Sequence, residues 1–132
     1  MKKFTIEIAT RATHGNIVPI EVQHRISIKK DIILQEDYDR MIKGLIPEQG
    51  TRIFIFFENN WFYIHKWIGG VGLFMAEIKK DKTEYYIDEF FVEGNIEKII
   101  KPFNSDNDAE NIRQFKYCIA KLIKHQMILE NS

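Results

Sequence analysis

Between Arg52 and Val92, aromatic-rich apolar segments are broken at Asn59-Asn60 and again at Gly69-Gly70, and this rhythm constrains the fold more than any other feature of the chain. Asn and Gly tolerate the positive φ of the tight turns that match strand twist, so apolar runs separated by such pairs read as antiparallel hairpins. The expected strands cover residues 53–58, 61–67, 71–79 and 85–92, the last reached through the polar turn Lys80-Asp81-Lys82-Thr83. With two-residue loops at both turns, Phe57 pairs with Phe62, Ile55 with Ile64 and Phe54 with His65. Across the second turn His65 pairs with Phe74, Trp67 with Gly72 and Tyr63 with Ala76.

Side chains alternate between the two faces of a strand. One face therefore gathers Phe54, Phe56, Trp61, Tyr63, His65, Trp67 and Phe74, and the other Ile53, Ile55, Phe57, Phe62, Ile64, Leu73 and Met75. Both faces are apolar, so the sheet must be covered on two sides or must leave a face for a partner.

The remaining segments supply the covers. Phe4, Ile6 and Ile8 alternate with polar or small residues, the period of a first strand. Thr13-His14-Gly15-Asn16 is a turn, and 17–28 reads as a second strand with Pro19 near its start, able to pair with the first as a hairpin. From Leu34 the apolar positions Tyr38, Met41, Ile42 and Leu45 follow helical spacing, with Gly44 and Pro47 marking the end of a short helix. A helical turn is expected over 96–100. Asn107 precedes Glu110 at capping-box spacing, and Ile112, Phe115, Cys118, Ile119, Leu122, Ile123 and Met127 then form an apolar stripe. The predicted fold is α+β: one domain over 1–132, with an antiparallel sheet of five or six strands, a short inserted helix and a long C-terminal helix packed across the aliphatic face. The short helix, the N-terminal hairpin or a second subunit must cover the aromatic one.

Charge excludes some functions. The chain carries 19 basic and 19 acidic side chains, a formal net charge of zero. Non-specific nucleic-acid affinity draws on net positive charge, so a whole-surface role of that kind is not expected, although a local basic patch is compatible with these numbers. No window approaches the roughly 18 apolar residues of a membrane span, and the N-terminus lacks the apolar core of a leader, so the expected compartment is the cytoplasm and no membrane partner is expected. The single cysteine, Cys118, rules out an internal disulfide and a multi-cysteine metal site, and lies where a small buried hydrophobe is expected. No Gly-rich phosphate loop, zinc-protease motif or nucleophile elbow is present, and neither a metal nor a cofactor is expected.

The candidate site is the aromatic face. Gly72 opposite Trp67 and Ala76 opposite Tyr63 would leave shallow space beside large rings, either a slot for a planar ligand such as a nucleobase or ordinary core packing. His65 is the one candidate for acid–base work, because a histidine among aromatics is a satisfied core residue, a ligand contact or a general base. Trp67, His65, Tyr63 and Trp61 are the candidate binding residues, with Arg25 (beside His24) and Lys66 available to hold an anion.

At Tyr63-Ile64-His65-Lys66-Trp67-Ile68-Gly69-Gly70-Val71-Gly72-Leu73-Phe74 the chain resembles a strand–turn–strand signature of small uncharacterised bacterial and phage proteins, which reads roughly Tyr-x-His-Arg-Ser-Trp-Thr-Gly-x-x-Ile-Tyr. Tyr63, His65 and Gly70 match, and Lys66, Leu73 and Phe74 are conservative replacements. Ile68-Gly69 stands where the signature has Trp-Thr, with Trp67 one position earlier. The resemblance spans about twelve residues; it implies the hairpin and a role for His65, in a defence, toxin-immunity or mobile-element setting.

Three functional classes follow. The first is a small binding or regulatory protein that docks a partner protein or a nucleotide-like ligand on the aromatic face. The second is a small enzyme acting on a nucleotide or ADP-ribose-like substrate with His65 as acid or base. The third is a homo-oligomer, a homodimer at its simplest, in which two aromatic faces pack together.

Overall fold

A computed structural model describes residues 8–47 and 52–131. In chain order the elements are a single helical turn α1 (Arg11–His14), strand β1 (Gln23–Ile33), helix α2 (Gln35–Met41), strands β2 (Ile53–Glu58), β3 (Trp61–Lys66), β4 (Gly72–Glu77), β5 (Lys79–Asp81) and β6 (Glu84–Glu93), a 3₁₀ turn (Ile96–Lys98) and helix α3 (Asp108–Glu130). The strands form one antiparallel sheet in the order β1-β6-β4-β3-β2, with β5 continuing beside β6. The fold is α+β, with a six-stranded sheet, a short helix and a long C-terminal helix.

The first hairpin forms in the expected register: Phe54 faces His65, Ile55 faces Ile64 and Phe57 faces Phe62. Asn59 and Asn60 both hold positive φ, 52° and 69°, as the two-residue turn requires. The second hairpin differs. Its loop is four residues, Trp67 to Gly70, closed by the Lys66 N–H donating to the Val71 carbonyl at 2.9 Å. Ile64 therefore faces Phe74, Tyr63 faces Met75 and Phe62 faces Ala76, and a bulge at Leu73 brings His65 opposite Gly72. A one-residue slip exchanges the two faces of a strand. Phe74 accordingly joins the aliphatic core, Met75 moves to the aromatic face, and Trp67 lies in the loop beyond the strand.

The physical cause of the slip lies in the N-terminal segment. The Val18 N–H donates to the Gly70 carbonyl and the Gly72 N–H to the Val18 carbonyl, both at 2.8 Å, so residues 18–20 lie along the start of β4. A Cβ at Gly72 would stand 2.9 Å from the Ile20 nitrogen. The space beside Gly72 that could have been a ligand slot is thus filled by the chain's own backbone.

This use of 18–20 also displaces the predicted second strand. β1 starts at Gln23, runs to Ile33 and pairs with β6, with a register shift between Ser27 and Asp31. The first expected strand, built on Phe4, Ile6 and Ile8, lies outside the described residues except for its end.

The long helix covers the aliphatic face as expected. Asn107 caps it, its side chain accepting the Glu110 N–H at 3.0 Å. Phe115, Cys118 and Leu122 are buried against Phe62, Ile64, Phe74 and Phe90. Phe115 stacks on Phe90 with ring centroids 4.1 Å apart. Burial of a side chain of this size contributes about 1.5–3 kcal/mol. Helix α2 packs on the same face: Met41 joins that core, Tyr38 stacks on Tyr85 at 3.7 Å, and Arg40 pairs with Glu130 of α3.

The aromatic face is covered instead by Ala9, the α1 turn and Ile17, which pack on Phe54, Phe56, Tyr63 and Trp67. That cover is partial. Trp61, Tyr63, Met75 and Phe91 remain half-buried, with the Trp61 and Phe91 rings 5.9 Å apart. No helix among the described residues is long and apolar enough to cross a membrane.

Candidate functional site

The residues singled out from sequence separate into three places. Tyr63 and His65 share a cavity of about 250 Å³ with Arg11, Gln23 and Met75. Trp67 and Lys66 line a different cleft at the end of the sheet. Trp61 stands beside Phe91, and Arg25, whose Cα partner is also Phe91, reaches toward Glu89 at 3.7 Å. β1 and β3 are separated by β6 and β4, so Arg25 lies three strand spacings, roughly 14 Å, from the strand of His65.

His65 is buried, only 4% exposed, and its ring stacks on Phe56. Its Nδ1 donates to the Gly70 carbonyl at 2.8 Å; a carbonyl can only accept, so Nδ1 carries the proton and Nε2 is the acceptor nitrogen. Burial pushes its pKa below the ordinary 6.5, Arg11 and His14 add to that, and the Gly70 bond works against it. His65 is therefore held as a neutral imidazole. The cation nearest to it in the cavity is already engaged: Arg11 makes a two-bonded ion pair with Glu58, at 2.9 and 3.2 Å, while lying over the Phe56 and Tyr63 rings. This arrangement fixes one tautomer and closes one end of the aromatic face, and supplies no unpaired cation for an anionic substrate.

The cleft at Trp67 has the opposite character. It measures about 430 Å³ and is lined by Arg52, Lys66, Trp67, Ile68 and the run Ile100 to Phe103, which includes Lys101. Trp67 is pinned on its inner side. Its ring meets His14 edge-on at 4.7 Å and Phe54 at 5.5 Å, its backbone N–H donates to the Arg52 carbonyl, and its backbone carbonyl accepts from Nε2 of His14. His14 is oriented in turn by the Asn16 N–H on Nδ1, at 3.1 Å. Trp67 also lines the cleft. Among the described residues, no carboxylate lines this cleft, and none pairs with Arg52, Lys66 or Lys101. Three uncompensated cations around a positioned indole attract an anion that also carries a flat, π-rich group.

Arg52, Lys101 and Phe103 escape a sequence reading because they come from separate stretches that meet only in the folded sheet. The one available signal was negative: from Asn59 to Ala76 the chain has a single lysine and no acid. Among the described residues no group of three or more His, Cys, Asp or Glu side chains is placed to hold a metal. Compared with protein-family models, with curated proteins and with solved structures, the chain shows no significant match.

Proposed function

We propose that this is a small binding or regulatory protein that takes an anionic, nucleotide-like ligand in the cleft beside Trp67. The observation that carries the reading is the pairing of a half-buried indole with Arg52, Lys66 and Lys101 in a space of about 430 Å³ that no carboxylate among the described residues lines. A base would lie against the indole, and the phosphates would meet the three cations. The N-terminal segment occupies the part of the aromatic face around Phe54 and Phe56, and the ligand sits at the end of that face rather than across it. The short resemblance around His65 suggests a defence, toxin-immunity or mobile-element setting for such a binder.

The test is a titration with ATP, NAD and ADP-ribose that follows the indole N–H signals of Trp67 and Trp61 by NMR. Saturable shifts at Trp67 with Trp61 unmoved are expected, together with at least tenfold weaker binding by Lys101→Glu at unchanged thermal midpoint. Absence of any saturable shift at Trp67 would sink the reading.

The enzyme alternative draws on a different observation, the acceptor Nε2 of His65 in the cavity with Arg11 and Tyr63. It predicts turnover of a nucleotide or ADP-ribose-like substrate that His65→Gln abolishes and Trp67→Ala only weakens. Turnover unaffected by His65→Gln would remove that residue from the chemistry.

A further inference from the structure

Resting on the reading of the Trp67 cleft as an anion site, we infer that the cleft is one end of a track that takes a single-stranded nucleic acid. Two further depressions continue from it. The first, about 210 Å³, shares Arg52, Pro102 and Phe103 with the Trp67 cleft and reaches Tyr117 and Lys121 on α3. The second, about 390 Å³, shares Tyr117 and Lys121 and ends at Lys124 and Ile128. Tyr117, Lys121 and Lys124 stand at i, i+4 and i+7, on one face of the helix and about 10 Å from first to last along its axis.

The charge along this path is of one sign. Among the described residues no carboxylate lines any of the three depressions, and α3 has neither Asp nor Glu from Asn111 to Leu129. The acids of the helix stand at its ends, and Arg40 pairs with the last of them, Glu130. Aromatic rings alternate with the cations: Trp67, then Phe103, then Tyr117, which is 58% exposed with the Lys121 ammonium 5.7 Å from its ring centre.

This alternation selects the occupant. An acidic peptide would use the cations and leave the rings idle. A duplex presents phosphates and hides its base faces. A mononucleotide fills only the first cleft. A single strand offers phosphates and unstacked bases in turn, and base–aromatic stacking is tolerant of sequence. The zero net charge, which argues against attraction over the whole surface, is a sum over the chain and does not describe the lining of this path.

The experiment is fluorescence anisotropy with labelled oligo-dT and oligo-U of increasing length at low salt, beside ATP, a duplex of equal length and poly-glutamate. Affinity should rise with length until the track is filled, fall steeply with salt, and exceed that for the duplex or poly-glutamate at least tenfold. The double variant Lys121→Glu, Lys124→Glu should lose at least tenfold for oligonucleotides and keep ATP binding, whereas Trp67→Ala should weaken both. Both changes lie on exposed or half-exposed side chains, and an unchanged thermal midpoint checks folding. Binding of ATP without any gain from length overturns the track and spares the nucleotide reading, and binding of neither overturns both. Equal binding of duplex or poly-glutamate, or indifference to the α3 charge reversals, also overturns the track.

Discussion

Nδ1 of His65 donates to the Gly70 carbonyl across 2.8 Å, tying the last inward-facing residue of β3 to the far side of its own loop. Gly70 is itself pinned at φ 71°, where a Cβ would stand 2.3 Å from the Asn16 carbonyl oxygen, and its carbonyl also accepts from Val18. One peptide group thus joins the β3–β4 loop, the buried imidazole and the N-terminal cover.

Protonation at Nε2 would leave this bond in place but put a charge in a buried site, and this yields a pH prediction. The folded pKa of His65 lies below the unfolded value near 6.5, so in the window between them the unfolded chain binds more protons. The stabilising contribution is complete above pH 6.5 and is lost as pH falls toward the folded pKa, at no more than about 1.4 kcal/mol per pH unit for one proton. Urea titrations from pH 7.5 to 5 should show this loss in the native chain and a shallower one in His65→Gln. Equal slopes in the two proteins would mean that His65 is not held neutral.

The approach of the N-terminal segment to β4 predicts a penalty for the smallest substitution. At Gly72 a Cβ would lie 2.9 Å from the Ile20 nitrogen and 3.2 Å from the Val18 carbonyl oxygen, both backbone atoms that cannot rotate away. Gly72→Ala should destabilise by about 1–3 kcal/mol, the usual cost of overpacking. Amide exchange should speed up at Val18 and Gly72 before it does at Phe62 or Phe90. Uniform acceleration across the sheet would place the strain elsewhere.

What the sequence made legible follows from whether the determinant was local. Asn59-Asn60 carries its own turn geometry, so the β2–β3 register could be read residue by residue, and Asn107 likewise announced the start of α3. The β3–β4 loop is longer because Val18 pairs with Gly70 and Gly72 from about fifty residues away, and no local rule reports that. The apolar positions of α2 said that one side is buried without saying against which face; Tyr38 stacking on Tyr85 puts it beside α3. Trp67 and Lys66 stood out, but their companions Arg52, Lys101 and Phe103 are gathered only by the fold.

Cys118 tests the seating of α3. Burial in the apolar layer pushes its thiol pKa up to about 12, and the nearby Lys121 offsets this only in part. The thiolate is the reactive form, so at pH 8 the native protein should react with a disulfide reagent far more slowly than the urea-unfolded chain, on the order of a hundredfold or more. Rapid labelling of the folded protein would show that the helix opens locally over that position.

Glu93 carries the most demanding polar arrangement in the fold. The residue is 2% exposed, and its carboxylate accepts three backbone N–H bonds, from Glu21 at 2.8 Å on one oxygen and from Val22 at 2.8 Å and Asn95 at 3.1 Å on the other. These bonds turn the chain into β1 at one end and out of β6 at the other. A glutamine in its place has one oxygen and one NH₂ group. Whichever way it points, at least one buried N–H faces another donor, and a donor left unsatisfied costs about 1–3 kcal/mol. Glu93→Gln should therefore lower the unfolding free energy by that amount, seen as a lower urea midpoint at unchanged slope, since the surface exposed on unfolding is the same. Glu21→Gln is the control: its exposed carboxylate meets Lys98 and Asn95 at the surface, and its loss should leave the midpoint nearly where it was. If both variants moved the midpoint equally, the stabilisation would come from the surface charges around this turn and not from the buried carboxylate.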